Sequence, residues 1–352
     1  MTLRPRLAPS LIALALLAAG CSRAPETPEA SAPAVTPMTP INTVSAEAQA
    51  LFANPPSLPN VDGIPMALKR KALSLYQDRF GETLNKKYGS VVDVSESEIA
   101  GVPVLVVQPR GKRHPTQLLL NLHGGGFVLD SGSLTETIPM AALTGRTVIA
   151  VLYRLAPEHP YPASADDALA VYRKLLETHP PRDIIVFGTS AGATLTAQMA
   201  VRLKAQGIPM PAALGIFSVI SDFSRRGESM LHLNPLIGAP PKKVLDEELG
   251  KFVGDKKDLN DPLLSPLFAD LKGLPPTLLI SGTRDLLLSQ TALLHRALLR
   301  VGVDADLVVF EGMPHAHWAY LDLPESGEAF GMMARFFEKQ FAQAGAVTPL
   351  DP

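Results

Sequence analysis

The 352-residue chain has one cysteine, Cys21, and few charged residues. A single cysteine excludes a disulfide within the chain, and the cysteine spacings of structural zinc sites are absent. Charged residues make up 19% of the chain, its formal net charge is −2, and no block of like charges occurs. Nucleic-acid-binding proteins usually carry a basic patch, so this pattern argues against that class. Hydrophobic residues make up 46%, which is typical of a soluble globular enzyme with a large core.

The beginning of the chain has the pattern of an export signal. Arg4 and Arg6 precede an apolar stretch, residues 11–20, that is shorter than the roughly 20 residues needed to span a bilayer. Small residues stand directly before Cys21, as signal peptidase requires. We therefore predict that residues 1–20 are a signal peptide. A buried N-terminal helix is the alternative.

The predicted cleavage region, residues 17–21, resembles the lipobox of a bacterial lipoprotein. This resemblance implies a lipid on Cys21 and an exported protein anchored in the cell envelope, with membrane contact through that lipid alone. A soluble periplasmic or secreted enzyme is the alternative. Residues 21–62 are rich in Pro and Ala, a composition that favours an extended, disordered linker. Within it, residues 45–52 could form a short helical turn.

From residue 63 onward, short apolar runs alternate with helical patterns. The predicted strands are 102–107, 117–122, 147–152, 183–187, 212–219, 277–281 and 306–310. The main predicted helices are 66–88, 163–178, 191–205, 289–301 and 327–342. This alternation is typical of an α/β domain with a mostly parallel sheet, here 63–346, that binds ligands beyond the carboxyl ends of its strands. We expect a helical cap from 63–90 and from the polar, proline-interrupted segment 221–262.

A Gly-x-Ser-x-Gly motif occupies residues 188–192, between a strand pattern and a helix pattern. This context is typical of a nucleophile elbow, whose sharp, strained turn presents the serine at the positive end of a helix. Only small neighbours fit beside such a turn. We therefore predict Ser190 as the nucleophile, and a chance occurrence of the motif in a loop is the alternative.

The sequence His-Gly-Gly-Gly-Phe at 123–127 follows a predicted strand. Backbone N–H groups stabilise an oxyanion best where no side chain blocks approach, which accounts for adjacent glycines. The predicted oxyanion site consists of Gly124, Gly125, Gly126 and Ala191. Gly124 is expected to shape the turn rather than to donate, and His123 to hold the loop. A dinucleotide-binding loop does not fit, because the Gly-x-Gly-x-x-Gly spacing is absent.

A serine nucleophile needs a histidine as its base and an acid that orients the histidine. In enzymes with a nucleophile elbow these residues follow in the order Ser, acid, His, so we expect the acid and the base after the last two strands. His315 follows the last predicted strand and is the predicted base, with His317 as its rival. Asp285 follows the preceding strand and is the predicted acid. Asp304 and Asp306 stand at the opposite end of the last strand, away from the expected site.

Several motifs in this order resemble the bacterial hormone-sensitive-lipase-like esterases. They are residues 123–127, 153–163, 261–267, 273–276 and 312–316. The resemblance covers residues 90–345 and implies an α/β-hydrolase fold, a cap over the site and carboxylesterase activity, usually on short acyl chains. It also implies a structural role near the site for Glu158. Thr189 stands where many members have Asp, as in a Gly-Thr-Ser-Ala-Gly branch of the family, and His317 replaces a usual Phe.

The predicted reaction is hydrolysis of a small-molecule ester. His315 takes the proton of Ser190, the serine attacks the carbonyl, and water hydrolyses the acyl-enzyme, while Asp285 fixes the tautomer of the histidine. The mechanism requires no metal and no cofactor. An amidase or peptidase on the same fold and a non-catalytic binding protein of the envelope are the alternatives.

Overall fold

The computed structural model describes residues 41–54, 64–88, 91–111, 114–232 and 242–346. The predicted signal peptide and Cys21 lie outside these residues, as does most of the predicted linker. The export and lipid attachment therefore stay predictions. Every residue predicted for catalysis lies inside the described ranges.

In the described residues, eight strands form one sheet. They are β1 (Val92–Ile99), β2 (Val102–Pro109), β3 (Leu118–Leu122), β4 (Thr147–Val151), β5 (Ile184–Thr189), β6 (Ala213–Phe217), β7 (Thr277–Arg284) and β8 (Ala305–Pro314). Their order is β1-β2-β4-β3-β5-β6-β7-β8. β2 is antiparallel to both β1 and β4, whereas every neighbouring pair from β4 to β8 is parallel. The predicted α/β fold with a mostly parallel sheet is confirmed.

Helices connect the strands and cover both faces of the sheet. They are α1 (Ala46–Ala53), α2 (Met66–Lys87), α3 (Thr137–Thr144), α4 (Ala163–Leu175), α5 (Ala191–Ala205), α6 (Glu228–His232), α7 (Lys242–Val253), α8 (Leu288–Arg300), α9 (His317–Tyr320) and α10 (Pro324–Ala346). None of the helices described here is long and apolar enough to cross a membrane.

The sheet separates two apolar cores. Leu118 and Leu120 of β3 belong to the core that contains α4, α5 and α8. Leu119, between them in sequence, belongs to the opposite core with α3 and α10. Successive side chains of a strand point to opposite faces, and a parallel strand covered by helices on both faces is therefore apolar throughout. The exception in β3 is Asn121, which is fully buried.

The structure corrects the predicted linker at one place. Within residues 21–62, α1 is folded against the domain, with Ala48 and Phe52 buried in the core. Ser45 caps α1 through a hydrogen bond from the Ala48 N–H to its Oγ (3.1 Å), and it donates two further bonds to Glu325. The short helical turn allowed at 45–52 is a folded helix, and residues 41–54 are ordered because Ala48 and Phe52 dock α1 on the domain.

Candidate active site

Ser190 lies in a strained turn between β5 and α5. Its backbone has φ 59° and ψ −118°, a region that non-glycine residues rarely occupy. The turn passes so close to β3 that a Cβ on Gly192 would lie 1.7 Å from the Leu122 carbonyl oxygen. The Ser190 N–H donates to the Phe217 carbonyl (2.9 Å), which fastens the turn to β6. The strained backbone and the small neighbours predicted for the elbow are confirmed.

Ser190, His315 and Asp285 are joined by two hydrogen bonds. His315 Nε2 lies 2.9 Å from Ser190 Oγ, and His315 Nδ1 lies 2.8 Å from Asp285 Oδ1. Asp285 follows β7 and His315 follows β8, so the carboxyl ends of β5, β7 and β8 bring together residues far apart in sequence. Asp285 is fully buried, whereas Ser190 is partly exposed.

The carboxyl group of Asp285 is held by four donors. His315 Nδ1 and the Leu287 N–H (2.9 Å) bond to Oδ1, while the hydroxyl groups of Ser218 (2.5 Å) and Ser281 (2.6 Å) donate to Oδ2. Burial alone would raise the pKa of Asp285, but His315 and the two hydroxyls outweigh it and lower that pKa. Ser218 was not predicted from sequence. Its position directly after β6, a neighbour of β7, is the signal that points to it.

The rival histidine, His317, lies in a different environment. Its ring is fully buried, and among the described residues no hydrogen bond joins it to Ser190 or to Asp285. The ring packs edge-on against Phe310 and Trp318, and burial lowers the pKa of His317 to about 4. The structure therefore joins His315, and not His317, to Ser190. Asp304 directly precedes β8, at the end opposite to His315.

The loop that follows β3, residues 123–130, is called the oxyanion loop here and lies directly against the elbow. Gly125 has φ 114°, and a Cβ there would lie 2.1 Å from the Leu129 carbonyl oxygen, so only glycine fits. The N–H groups of Gly125 and Gly126 have no acceptor among the described residues. The N–H of Ala191 begins α5, where no preceding turn supplies an acceptor. A Cβ on Gly124 would approach the Thr189 carbonyl oxygen to 3.1 Å, which shows how closely loop and elbow pack.

His123 connects the oxyanion loop to Tyr153, the second residue after β4. Its ring is buried and stacks on Tyr153 with 4.1 Å between ring centroids. His123 Nδ1 lies 2.8 Å from the Gly124 carbonyl oxygen, and the Tyr153 hydroxyl donates to the His123 carbonyl (2.6 Å). These contacts involve no atom of Ser190 or His315, in agreement with the structural position expected for His123.

Helix α2, part of the predicted cap, is pinned to the loops of the site. Arg70 Nε donates to the Val128 carbonyl (2.8 Å), and Nη2 donates to the Ala156 carbonyl (2.8 Å). The same guanidinium forms an ion pair with Glu158 (2.8 Å) and lowers the pKa of Glu158 to about 2. Glu158 thus partners the cap helix and not the histidine. Sequence patterns did not single out Arg70.

Helix α7, from the second predicted cap segment, covers the residue after the glycines. Phe252 stacks on Phe127 with 3.6 Å between ring centroids, and both rings are almost fully buried. Phe223 and Tyr161 complete the cluster, at 5.6 Å and 5.8 Å from Phe252. Residues of both predicted cap segments therefore contact the oxyanion loop or the loop that follows β4.

Known proteins match the chain across this site. Residues 119–319, which contain every residue predicted for catalysis, match the α/β hydrolase fold family. An esterase of Acinetobacter venetianus is 35% identical over 231 residues, covering 63% of this chain and 74% of the relative. An acetyl-hydrolase of Streptomyces hygroscopicus is 32% identical over 276 residues, covering 76% of this chain and 88% of the relative.

Solved structures agree with these sequence matches. A crystal structure of an esterase from the bacterial hormone-sensitive lipase family is 32% identical to the chain, with a TM-score of 0.67. The match covers 75% of this chain and 92% of that structure. The similarity thus extends over nearly the whole length of that esterase.

Proposed function

The chain belongs to the α/β-hydrolase fold family and is an ester hydrolase, and from that premise we propose that Ser190, His315 and Asp285 are its catalytic triad. The observation that carries the proposal is the pair of hydrogen bonds that His315 makes, 2.9 Å to Ser190 Oγ and 2.8 Å to Asp285 Oδ1. A serine hydroxyl is a weak nucleophile on its own and needs an adjacent base within this range.

The first half of the reaction forms an acyl-enzyme. His315 Nε2 accepts the Ser190 proton as Oγ attacks the ester carbonyl, and Asp285 stabilises the resulting imidazolium through Nδ1. The negative charge that develops on the carbonyl oxygen is stabilised by the N–H groups of Gly125, Gly126 and Ala191. Collapse of the tetrahedral intermediate breaks the ester C–O bond, and His315 protonates the departing alcohol.

The second half releases the acid. His315 accepts a proton from water, the resulting hydroxide attacks the acyl carbonyl, and the same N–H groups stabilise the second oxyanion. Ser190 then leaves with the proton that His315 returns. One ester and one water are consumed, and one carboxylic acid and one alcohol are formed. The triad side chains and the three backbone N–H groups account for every step.

We further propose that the substrates are esters with short acyl chains. The stacked rings of Phe127 and Phe252 fill the space beside the oxyanion loop, and Arg70 holds α2 down on the same loop. These contacts restrict the room for a long acyl chain. One relative of the chain is named an acetyl-hydrolase, and acetyl is a short acyl group.

The triad is tested by single substitutions assayed on p-nitrophenyl acetate. Ser190→Ala removes the attacking oxygen and should abolish turnover in a folded protein. Asp285→Asn favours the wrong tautomer of His315 and should lower kcat by about 10⁴-fold. Asp304→Asn is the matched control, since Asp304 stands at the other end of β8, and it should keep wild-type kcat. An Asp285→Asn variant as active as the control would show that another residue is the acid.

A further inference from the structure

A carboxyl group with no cationic partner is buried behind the elbow. Glu136, the residue before α3, is 2% exposed, and no ion pair is formed by it within the described chain. Its Oε2 accepts a hydrogen bond from Asn121 Nδ2 (3.1 Å), while Oε1 has no hydrogen-bond partner in the same residues. Burying a carboxyl group without full compensation is costly, so its position requires a physical account.

The polar neighbours of Glu136 come from three separate elements, β3, β5 and α9. Asn121 lies near the end of β3, two residues before His123. Thr189 directly precedes Ser190, and its hydroxyl lies close enough to the carboxyl group to lower the pKa of Glu136. Trp318 comes three residues after His315, and its indole N–H lies against both the carboxyl group and the Thr189 hydroxyl (3.2 Å).

We propose that Glu136 is a positioning residue of the esterase site, whose buried carboxyl group holds the ends of β3 and β5 and helix α9 in place relative to one another. The inference rests on the proposed function for the identity of the reaction. Glu136 touches neither substrate nor the reacting atoms. It acts through Thr189, Asn121 and Trp318, each within four residues of a group that the reaction uses.

The charge of Glu136 depends on pH in the neutral range. Burial raises the pKa of Glu136 to about 7, against the opposing effect of its three hydrogen-bonding neighbours. The nearby carboxylate of Asp130, on the oxyanion loop, raises it further. The other ionisable groups that face Glu136 are the hydroxyls of the buried Tyr153 and the partly buried Tyr320, both with raised pKa values. Glu136 is therefore the one of these four groups that titrates near neutral pH.

Trp318 reports this contact directly, because it is the only tryptophan of the 352 residues. We expect the fluorescence of the chain to change near pH 7 as Glu136 ionises beside the indole. A second change is expected near pH 4, where the adjacent His317 gains a proton. Glu136→Gln should remove the first change alone, and His317→Phe the second alone. The titrations are repeated with His315→Gln in each protein, so that His315 contributes to neither signal.

The positioning role is measured by kinetics on p-nitrophenyl acetate. Glu136→Gln keeps the shape and one acceptor oxygen, and should retain kcat within a few-fold. Glu136→Ala removes the acceptor of the Asn121 side chain, and should lower kcat by about 10²-fold with KM little changed, since small misplacements of reacting groups cost this much. Gln340→Ala, which truncates a buried polar side chain of α10, is the control for a purely structural effect: its Tm should fall while kcat stays.

The outcomes separate the two proposals. A neutral fluorescence change that survives Glu136→Gln, or a folded Glu136→Ala variant with wild-type kcat, would overturn the positioning role. A wild-type protein that hydrolyses no ester would instead defeat the proposed function. In that case, loss of the neutral change in Glu136→Gln would still establish that the Glu136 carboxyl group titrates beside Trp318.

Discussion

Two buried ionisable side chains beside Trp318 have pKa values shifted in opposite senses. In the folded protein the pKa of Glu136 is raised from 4.5 to about 7, and the pKa of His317 is lowered from 6.5 to about 4. Both shifts have burial as their largest cause, because burial disfavours the charged form of either group. A folded-state shift of this size changes the free energy of unfolding with pH.

The two slopes have opposite signs. The contribution of Glu136 is present below pH 4.5 and is lost as pH rises to about 7, where the buried carboxyl group must ionise. The contribution of His317 is present above pH 6.5 and is lost as pH falls to about 4, where the unfolded chain takes up the proton more readily. Each amounts to about 3 kcal/mol across its window, so the two nearly cancel in the wild-type protein.

Substitution of either residue should uncover the slope of the other. Between pH 4.5 and 6.5, Glu136→Gln should make the protein less stable as pH falls, because of the two shifted groups only His317 remains. His317→Phe should make it less stable as pH rises. Urea unfolding at a series of pH values measures both, and the double variant should show neither slope. Parallel curves for all four proteins would refute the assignment of these shifts.

At the level of single residues, sequence predicted those that belong to a local motif. Ser190, His315 and the glycines stand in short signatures with a known mechanical reason. Ser218 and Glu136 were not predicted, because each acts on a residue more than ten positions away and belongs to no motif. Asn121 was the available signal: a polar residue within an otherwise apolar, buried strand requires a partner.

At the level of elements, the buried strands and long helices were predicted within a few residues. β1 was not predicted, because its sequence contains three acidic residues and only its first residue is buried. An edge strand paired only with β2 tolerates such a sequence, since both of its faces are accessible to water. α3 was missed for a different reason: its eight residues are nearly all buried and carry no polar face to reveal the helical period.

The position of Phe252 in α7 leads to a prediction about specificity for acyl-chain length. The wild-type protein should have higher kcat/KM for acetyl to hexanoyl esters than for dodecanoyl esters, because the rings of Phe127 and Phe252 are stacked beside the oxyanion loop. Phe252→Ala removes one ring and should shift the preference toward longer acyl chains. A graded panel of p-nitrophenyl esters measures this shift.

The control for that experiment is Phe337→Ala. Phe337 is an equally buried aromatic residue of α10, in the core on the opposite face of the sheet. It should lower Tm without changing the order of substrates. A wild-type preference for emulsified long-chain triglyceride would contradict the proposal, as would an unchanged order in Phe252→Ala.

At the level of the whole molecule, we propose that the protein is an envelope lipoprotein attached through Cys21. Residues 41–54 are docked on the domain, so the connection from Cys21 to the domain ends at residue 41 and not at residue 62. The 20 residues from Cys21 to Ile41 span at most roughly 70 Å when fully extended. The catalytic domain of a lipidated protein would therefore stay within that distance of its membrane.

The anchor is tested by fractionation of bacterial cells. The wild-type protein should sediment with membranes and incorporate radioactive palmitate, because several acyl chains on one cysteine give stable anchoring. Cys21→Ser should be soluble and unlabelled while its ester hydrolysis is unchanged. Wild-type protein found wholly in the soluble fraction without label would favour a periplasmic or secreted enzyme instead.

Helix α1 also determines how a mechanical load would enter the domain. Ile41 packs against Gly312, and Ser45 is bonded to Glu325, so traction on the chain ahead of residue 41 acts on these contacts before it reaches α2. Both contacts lie on the segment that runs from the end of β8 into α10, which also carries His315. Force applied by an anchor would thus act first on the segment that carries His315. The elbow follows β5, which pairs with β3 and β6, and lies outside that segment.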